Sequence, residues 1–299
     1  MRAVNFKTNR AGIGPVLVGA AIATLVLVGL PLVGVPTTAQ TTIGGGGTTP
    51  KAGKKRETIP VQEMLLRVDE VLKIPAGLLT GRLSAVTKTG KSAVWDFSLY
   101  RKTIVKDGLN QTAMLYVLSS KRRGLEAKIL FRENGDEIWL WDAVRGRLFR
   151  KRDLEKYQGV LGTGFSYLEL SGAEYQATYT GRRAVLLRTP DKKVMTRMTM
   201  VPINPGLYSK LRLLADQQKE YRPVRIDFHG RRKVLHKTLN FYYGDILLKD
   251  QGRTSKTRLP VRLEMLDLRT GVISRMEYFS VDKRVNPDNA FFDPDYLNR

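Results

Sequence analysis

The first regular pattern along the chain predicts one amphipathic helix. Its apolar residues recur at spacings of three and four, and they are Val61, Met64, Leu65, Val68, Val71 and Leu72. Most positions on the other face are charged or amide side chains. This spacing gives about three helical turns with a single buried stripe. Pro75 and Gly77 predict that the helix ends before them.

Beyond position 77 the apolar period changes from three or four to two. Apolar and polar residues alternate along stretches that contain Trp95, Phe97 and Leu99; Leu125, Ala127, Ile129 and Phe131; Val224, Ile226 and Phe228; and Val261, Leu263 and Met265. Strict alternation predicts strands with one face on a core and the other toward water. It is typical of antiparallel sheets, because strands of parallel sheets are usually buried on both faces.

Glycine-containing turn signals separate these stretches, for example at Gly90, Gly146 and Gly271. They predict ten to twelve strands joined as hairpins, with short helices near 151–158 and 165–171. A sheet of this size must curl and cover its concave face. We therefore expect a mainly β (α+β) fold. It is a large curved antiparallel sheet forming an incomplete barrel, covered by the N-terminal amphipathic helix and a short mid-chain helical lid.

The first 58 residues are unlike the rest. A basic start is followed by an apolar run from Val16 to Val33, and Thr37 and Ala39 fit a cleavage site. We expect residues 1–39 to be a signal peptide, or alternatively an uncleaved N-terminal anchor, so that the rest of the chain is exported. Residues 40–58 are glycine-rich and basic, which predicts a flexible linker. Residues 59–299 then form a single domain.

Charge and cysteine content narrow the possible partners. The chain has no cysteine, which excludes disulfides, thiolate zinc sites, a thiol nucleophile and a lipidated N-terminal cysteine. Its formal net charge is +23, and basic clusters such as 121–123, 145–152 and 231–233 fall mostly at predicted turns. These turns are either simply solvated or face an anionic membrane surface. Export and the lack of interleaved aromatic residues argue against nucleic acid.

No pattern of catalytic residues emerges from the sequence. His229 and His236 are the two histidines, with no third ligand at a metal-binding spacing, and His229 falls on the predicted solvent face of its strand. Nucleophile-elbow and phosphate-loop motifs are missing. We therefore expect a protein that is not an enzyme, without a metal site or a cofactor.

Two short elements and the tail resemble a known family. The strand from Glu137 to Asp142 carries Trp139 and Trp141, and the element from Gly162 to Leu170 reads Gly-Thr-Gly-Phe-Ser-Tyr-Leu-Glu-Leu. These resemble the outer-membrane lipoprotein-sorting (LolA-like) periplasmic proteins, particularly the larger branch found beside export pumps of the resistance-nodulation-division type. Ala143 and Gly164 depart from the proline and aspartate usual there, whereas the ending that contains Phe292 and Leu297 looks like that of the family.

The resemblance implies an open antiparallel barrel whose apolar interior receives acyl chains in the periplasm. It implies a binding or carrier protein for a lipid or lipoprotein acyl chain in outer-membrane lipoprotein or lipid trafficking. Its partners would then be lipid or lipoprotein acyl chains, with an inner-membrane export pump or another envelope protein as a further partner. The alternative is an envelope regulatory or interaction module that uses the same fold for protein contact.

The candidate ligand-binding residues lie in two segments. Phe165, Tyr167, Leu168 and Leu170 belong to the predicted lid, where they either contact the ligand or only pack the lid on the sheet. We expect this lid to move when a chain is admitted. Trp139 and Trp141 share one face of their strand and either line the cavity or pack in the core.

Overall fold

The computed structural model describes residues 60–106, 108–133, 136–171, 179–202 and 206–299. The predicted signal peptide and linker lie outside these residues, and Arg56–Arg299 forms a compact unit of its own. These residues contain two α-helices, α1 at Val61–Leu72 and α2 at Tyr167–Ser171. The strands are β1 Gly77–Val86, β2 Ser92–Lys106, β3 Leu109–Ser120, β4 Gly124–Arg132, β5 Glu137–Asp142, β6 Arg147–Lys151, β7 Tyr179–Arg188, β8 Val194–Pro202, β9 Tyr208–Asp216, β10 Arg222–Gly230, β11 Leu235–Asp250, β12 Arg253–Asp267 and β13 Val272–Asp282. Neither helix is long and apolar enough to cross a membrane.

All thirteen strands form one sheet in the order β6-β5-β4-β3-β2-β1-β13-β12-β11-β10-β9-β8-β7. Neighbouring strands in this order are antiparallel, and β11 makes a short additional parallel pairing with β13. The two free edges, β6 and β7, are consecutive in the chain, so the sheet curls into a barrel that stays open between them. This confirms the predicted mainly β, incomplete-barrel fold with helical covers.

The helix α1 packs on the concave side of the sheet through the stripe that the sequence predicts. Met64, Leu65 and Val68 are buried, with 3%, 4% and 0% of their surface exposed. The helix approaches β7 closely at Gly181, where a Cβ atom would overlap Val61. A larger residue at position 181 would therefore push α1 away from the sheet.

Alternating residues of the strands fill the concave side with one large apolar cluster. Phe97, Leu99, Ile129 and Ile226 are each at most 3% exposed. One expected alternation fails, because the register of β10 against β11 shifts between Phe228 and His229. This bulge lets Phe228 and His229 both be buried. The expectation that His229 faces solvent is therefore wrong.

The convex side carries a second, smaller apolar cluster beneath the C-terminal tail. Phe292 and Leu297 of the tail are 2% and 0% exposed and pack with Leu115 and Leu130. The Nζ atoms of Lys102 and Lys128 donate to tail carbonyl oxygens of Pro287 and Arg299, at 2.8 and 2.7 Å. The tail therefore covers strands β2–β6 on a face that would otherwise expose apolar side chains.

We expect Phe292→Ala to lower the free energy of unfolding by about 3–5 kcal/mol, since it removes a buried aromatic ring. Phe279→Ala is the matched control, because Phe279 is 49% exposed on β13, and it should cost less than about 1 kcal/mol. Urea unfolding followed by tryptophan fluorescence measures both. Equal costs for the two variants would show that the tail does not contribute to stability as described.

Candidate functional site

The segment that leaves β6 folds back over the concave side of the sheet before β7 begins. Residues Asp153–Tyr157 and Val160–Gly162 form short 3-10 turns. Gly162 has a φ of 79°, a backbone conformation that glycine adopts without strain. The Val160 N–H then donates to the Phe165 carbonyl oxygen at 2.8 Å, which closes a compact loop ahead of α2.

A capping box starts α2. The Ser166 N–H donates to Glu169 Oε2 at 2.7 Å, and the Glu169 N–H donates to Ser166 Oγ at 3.2 Å. This reciprocal pair satisfies N–H groups that a helix start leaves without partners. The local sequence Ser-x-x-Glu therefore explains why such a short helix forms here.

Glu169 also anchors α2 to the sheet through a buried ion pair. Lys237 Nζ of β11 lies 3.0 Å from Glu169 Oε2, and the side chains of Lys237 and Glu169 are 2% and 0% exposed. Lys237 also donates to the Gly164 carbonyl oxygen at 2.7 Å, and the Tyr208 hydroxyl donates to Glu169 Oε1 at 2.7 Å. Charges buried this deeply are tolerated only with such complete pairing.

Beneath α2 lies an apolar cavity of about 80 Å³. Its apolar walls come from both helical covers and from strands of the concave face, and they comprise Leu72, Ile74, Met114, Phe165, Leu170, Phe241, Pro260, Leu263 and Met276. The volume is below the roughly 300–1,000 Å³ of typical small-molecule sites. The described structure therefore leaves less internal space than a bound acyl chain needs.

Two tyrosines add a polar spot to the cavity wall. The Tyr116 hydroxyl lies 3.4 Å from the Leu170 carbonyl oxygen, and Tyr116 and Tyr278 also hydrogen-bond to each other. Burial raises the pKa of both phenols well above the ordinary tyrosine value. Both hydroxyls therefore stay protonated at neutral pH and keep the ability to donate a hydrogen bond.

The four candidate residues of the predicted lid all lie in or beside α2 and are buried. Phe165 and Leu170 line the cavity. Tyr167 is 5% exposed, lies under Lys151 Nζ at 5.1 Å from its ring, and has its pKa raised by burial to about 12. Leu168 is 8% exposed and, like Tyr167, does not line the cavity.

Trp139 and Trp141 lie away from the cavity, so their predicted place there needs correction. Ile138 and Leu140 are the residues of β5 that face the concave cluster. The two tryptophans point to the convex side, where they pack against the cluster under the C-terminal tail. Strand β5 is apolar on both faces because the tail covers its outer face, so alternation alone did not identify the inner one.

Sequence reasoning missed several residues that build the site. The sequence predicts Leu72 only as part of the helix stripe and gives no role to Ile74, yet both line the cavity. It gives no role to Lys237 either, which pairs with Glu169. The Ser166-to-Glu169 spacing was the available signal for a capped helix start. Within the described residues, His, Asp and Glu side chains form no cluster of three that would hold a metal ion.

We expect Lys237→Met to destabilise the fold by about 3–5 kcal/mol, because Glu169 would stay buried without its counter-charge. The double variant Glu169→Gln with Lys237→Met should recover part of this loss. Glu264→Gln is the matched control, since its partner Arg275 is 54% exposed, and it should cost at most about 1 kcal/mol. Urea titrations measure the free energy of unfolding of each variant. Equal losses of stability in Lys237→Met and Glu264→Gln would contradict the role of the Glu169–Lys237 pair in anchoring α2.

The fold is shared with solved structures of low sequence identity. A DUF1329 family protein from Desulfovibrio piger superposes with a TM-score of 0.67 at 17% identity, covering 79% of this chain and 97% of that one. A domain assigned as an outer membrane lipoprotein-sorting protein from Vibrio parahaemolyticus gives 0.63 at 17% identity, covering 80% and 98%. A LolA superfamily protein from Nitrosomonas europaea gives 0.56 at 17% identity, covering 80% and 100%.

Sequence comparison gives a family but no named relative. No curated protein matches the chain. A family model with the description "uncharacterized protein" matches residues 110–299. The chain therefore belongs to the family of that model, and its fold is the open, helix-covered barrel of the LolA-like proteins.

Proposed function

We propose that this protein is a periplasmic carrier that holds an acyl chain of a lipid or lipoprotein between the sheet and its helical covers. The observation that supports it most is the apolar cavity beneath α1 and α2. Two structural neighbours are described as a lipoprotein-sorting domain and a LolA superfamily protein, which agrees with this cargo. The predicted signal peptide fits a location outside the cytoplasm.

Burial of the acyl chain would supply the affinity. Each methylene removed from water contributes about 0.8 kcal/mol, so a long chain needs no specific polar site. An ester or carboxyl oxygen at the head of the chain would accept from one of the Tyr116 and Tyr278 hydroxyls by replacing its present acceptor, the Leu170 carbonyl oxygen or the other tyrosine. Such chemistry binds without catalysis, and it requires no cofactor.

Because a cavity of about 80 Å³ is too small for an acyl chain, one cover has to move before a chain can enter. The sequence favoured 165–171 as this lid, but the buried Glu169–Lys237 pair holds that segment on the sheet. The described contacts of α1 with the sheet are mostly apolar, and its ion pair between Arg67 and Glu63 stays within the helix. We therefore propose α1 as the cover that moves and α2 as a fixed wall.

The cargo is tested by extracting protein purified without detergent and analysing the extract by mass spectrometry. We expect phospholipid or acyl chains in stoichiometric amount. Met276→Trp should weaken binding of cis-parinaric acid, a fluorescent fatty acid, at least about tenfold, because filling the cavity excludes roughly two methylenes of the chain at about 0.8 kcal/mol each.

The control on the same strand is Phe279→Trp, because Phe279 is 49% exposed whereas Met276 is 2% exposed. It should leave binding unchanged. A protein that carries no lipid and binds the probe equally well in both variants would overturn the carrier and favour the interaction module that uses this fold for protein contact.

The moving cover is tested with a reversible cross-link between α1 and β7. A Cβ atom on Gly181 would lie 3.3 Å from Val61 Cβ, close to the roughly 3.5–4.5 Å of disulfides. Since the chain has no cysteine, Val61→Cys with Gly181→Cys gives one defined pair. We expect oxidation to slow probe uptake at least about tenfold and reduction to restore it, because α1 must leave the sheet.

The single variant Val61→Cys controls for the oxidant and should take up the probe at one rate under both conditions. Equal uptake by the oxidised and reduced forms of the double variant would exclude α1 as the cover that moves. That result would favour α2 as the cover that moves.

A further inference from the structure

Several hairpin turns leave the sheet at the same end. Turns of an antiparallel meander alternate between the two ends of the strands. Val86 of β1 pairs with Ile273 of β13, so the β1–β2 and β12–β13 turns share one end. The same alternation brings the β3–β4, β5–β6, β8–β9 and β10–β11 turns to that end, and of these the sequence of the β8–β9 turn has no charged residue. We call the five basic turns at this end the basic rim, which comprises residues 87–91, 121–123, 143–147, 231–234 and 268–271.

Every turn of the basic rim exposes positive charge. The exposed cations are Lys88, Lys91, Lys121, Arg122, Arg123, Arg145, Arg147, Arg231, Arg232, Lys233 and Arg269. The acidic side chains that flank these turns are mostly buried and paired with arginine. Asp142 and Asp267 have side chains that are 19% and 6% exposed, and each pairs with a rim arginine, at 3.2 and 3.5 Å. The rim therefore presents a surface of one sign.

The opposite end of the strands is mixed in charge. Its turns include Asp191, which pairs with Lys193, and Asp250, which pairs with Lys283 at 3.4 Å. Glu220 and Asp136 are exposed there as well. A generally basic composition would place excess positive charge at both ends of the strands. The net charge of +23 alone therefore does not explain why one end is basic and the other mixed.

Exposed apolar side chains stand among the cations of the basic rim. Val144, Val234 and Leu268 lie in three different rim turns and are 58%, 55% and 48% exposed. Val86 and Ile273, which pair across β1 and β13, are 45% and 42% exposed beside them. Long cationic side chains around apolar tips match the chemistry of a bilayer interface.

The chain also enters the folded unit on the side of the basic rim. Val61, the first residue of α1, contacts Gly181 near the start of β7. Because β7 runs antiparallel to β8, its start lies at the rim end of the strands.

We infer that the basic rim docks on the surface of a bilayer that contains anionic phospholipids. Phosphate groups of such lipids attract Lys and Arg within a Debye length of the surface. The apolar turn residues would enter the interface once charge has brought the rim there. A bilayer accepts cations spread over five turns, whereas an acidic protein would need a matching rigid shape. This docking does not depend on the identity of the cargo.

The test measures partition of residues 56–299, the compact unit, onto vesicles of phosphatidylcholine with and without phosphatidylglycerol. We expect binding only to the anionic vesicles at about 0.1 M NaCl, and its loss at about 1 M, where the Debye length falls from about 10 to 3 Å. The rim variant carries Lys121→Gln, Arg122→Gln, Arg231→Gln and Arg232→Gln. It should bind at least about 100-fold more weakly, since each cation near the surface contributes to the attraction.

The matched control removes the same charge from the opposite end, through Lys192→Gln, Lys193→Gln, Lys219→Gln and Lys249→Gln. It should change binding less than about threefold, and thermal unfolding verifies that both variants are folded. Replacing Val144, Val234 and Leu268 by Ser should weaken anionic binding about tenfold, since each loses buried apolar area.

Three outcomes would overturn the inference. Equal losses in the rim variant and the control would assign binding to net charge alone, and equal binding to neutral vesicles would remove the role of anionic lipid. If vesicles do not bind at all but the rim variant loses an acidic envelope protein in a cross-linking experiment, the rim is a protein interface. Since the vesicle assay needs no acyl cargo, its failure leaves the proposed carrier function standing.

Discussion

The pairing of β1 with β13 is the constraint on which the rest of the architecture depends. It joins the hairpins of the first half of the chain to those of the second half and makes one sheet of thirteen strands. The free edges are then β6 and β7, which are consecutive in the chain. The segment between them has to leave one edge and reach the other, and its described part folds over the concave face. The position of α2 over the cavity thus follows from topology.

The two helical covers are attached by different physics. α2 has only five residues, and besides the apolar side chains that it buries, a capping box and a buried ion pair hold it on the sheet. Charge-assisted bonds in a dry interior demand exact geometry, and they are lost all at once when the segment moves. α1 instead contributes an apolar stripe, which slides or detaches with a cost graded by area. A fixed wall beside a detachable one is an arrangement suited to a cavity that must open.

Much of the fold was predictable from the chain, and the limits have physical causes. The spacing of Met64, Leu65 and Val68 predicted α1, and alternation through Trp95, Phe97 and Leu99 predicted an inward face. Alternation states which residues share a face, but not which face is inward. Trp139 and Trp141 were misplaced because the distant tail covers their side of β5. The Glu169–Lys237 contact joins residues 68 positions apart, and local patterns carry no signal of it.

The proposed cover and the basic rim are connected through the direction of α1. The helix starts near the rim end of β7, at Val61, and its last turn leads through Lys73 to β1, which begins at the opposite end with Gly77. When α1 leaves the sheet, it stays attached through its link to β1, which lies at the end remote from the rim. If the rim is bound to a bilayer, the link between α1 and β1 does not contact the lipid. The start of α1 would then separate from β7 on the side that faces the lipid. Docking and opening would then begin at the same end of the molecule. Because Leu72 and Ile74 form the α1 side of the cavity at the other end of the helix, an acyl chain would run along the apolar stripe of α1 to reach it.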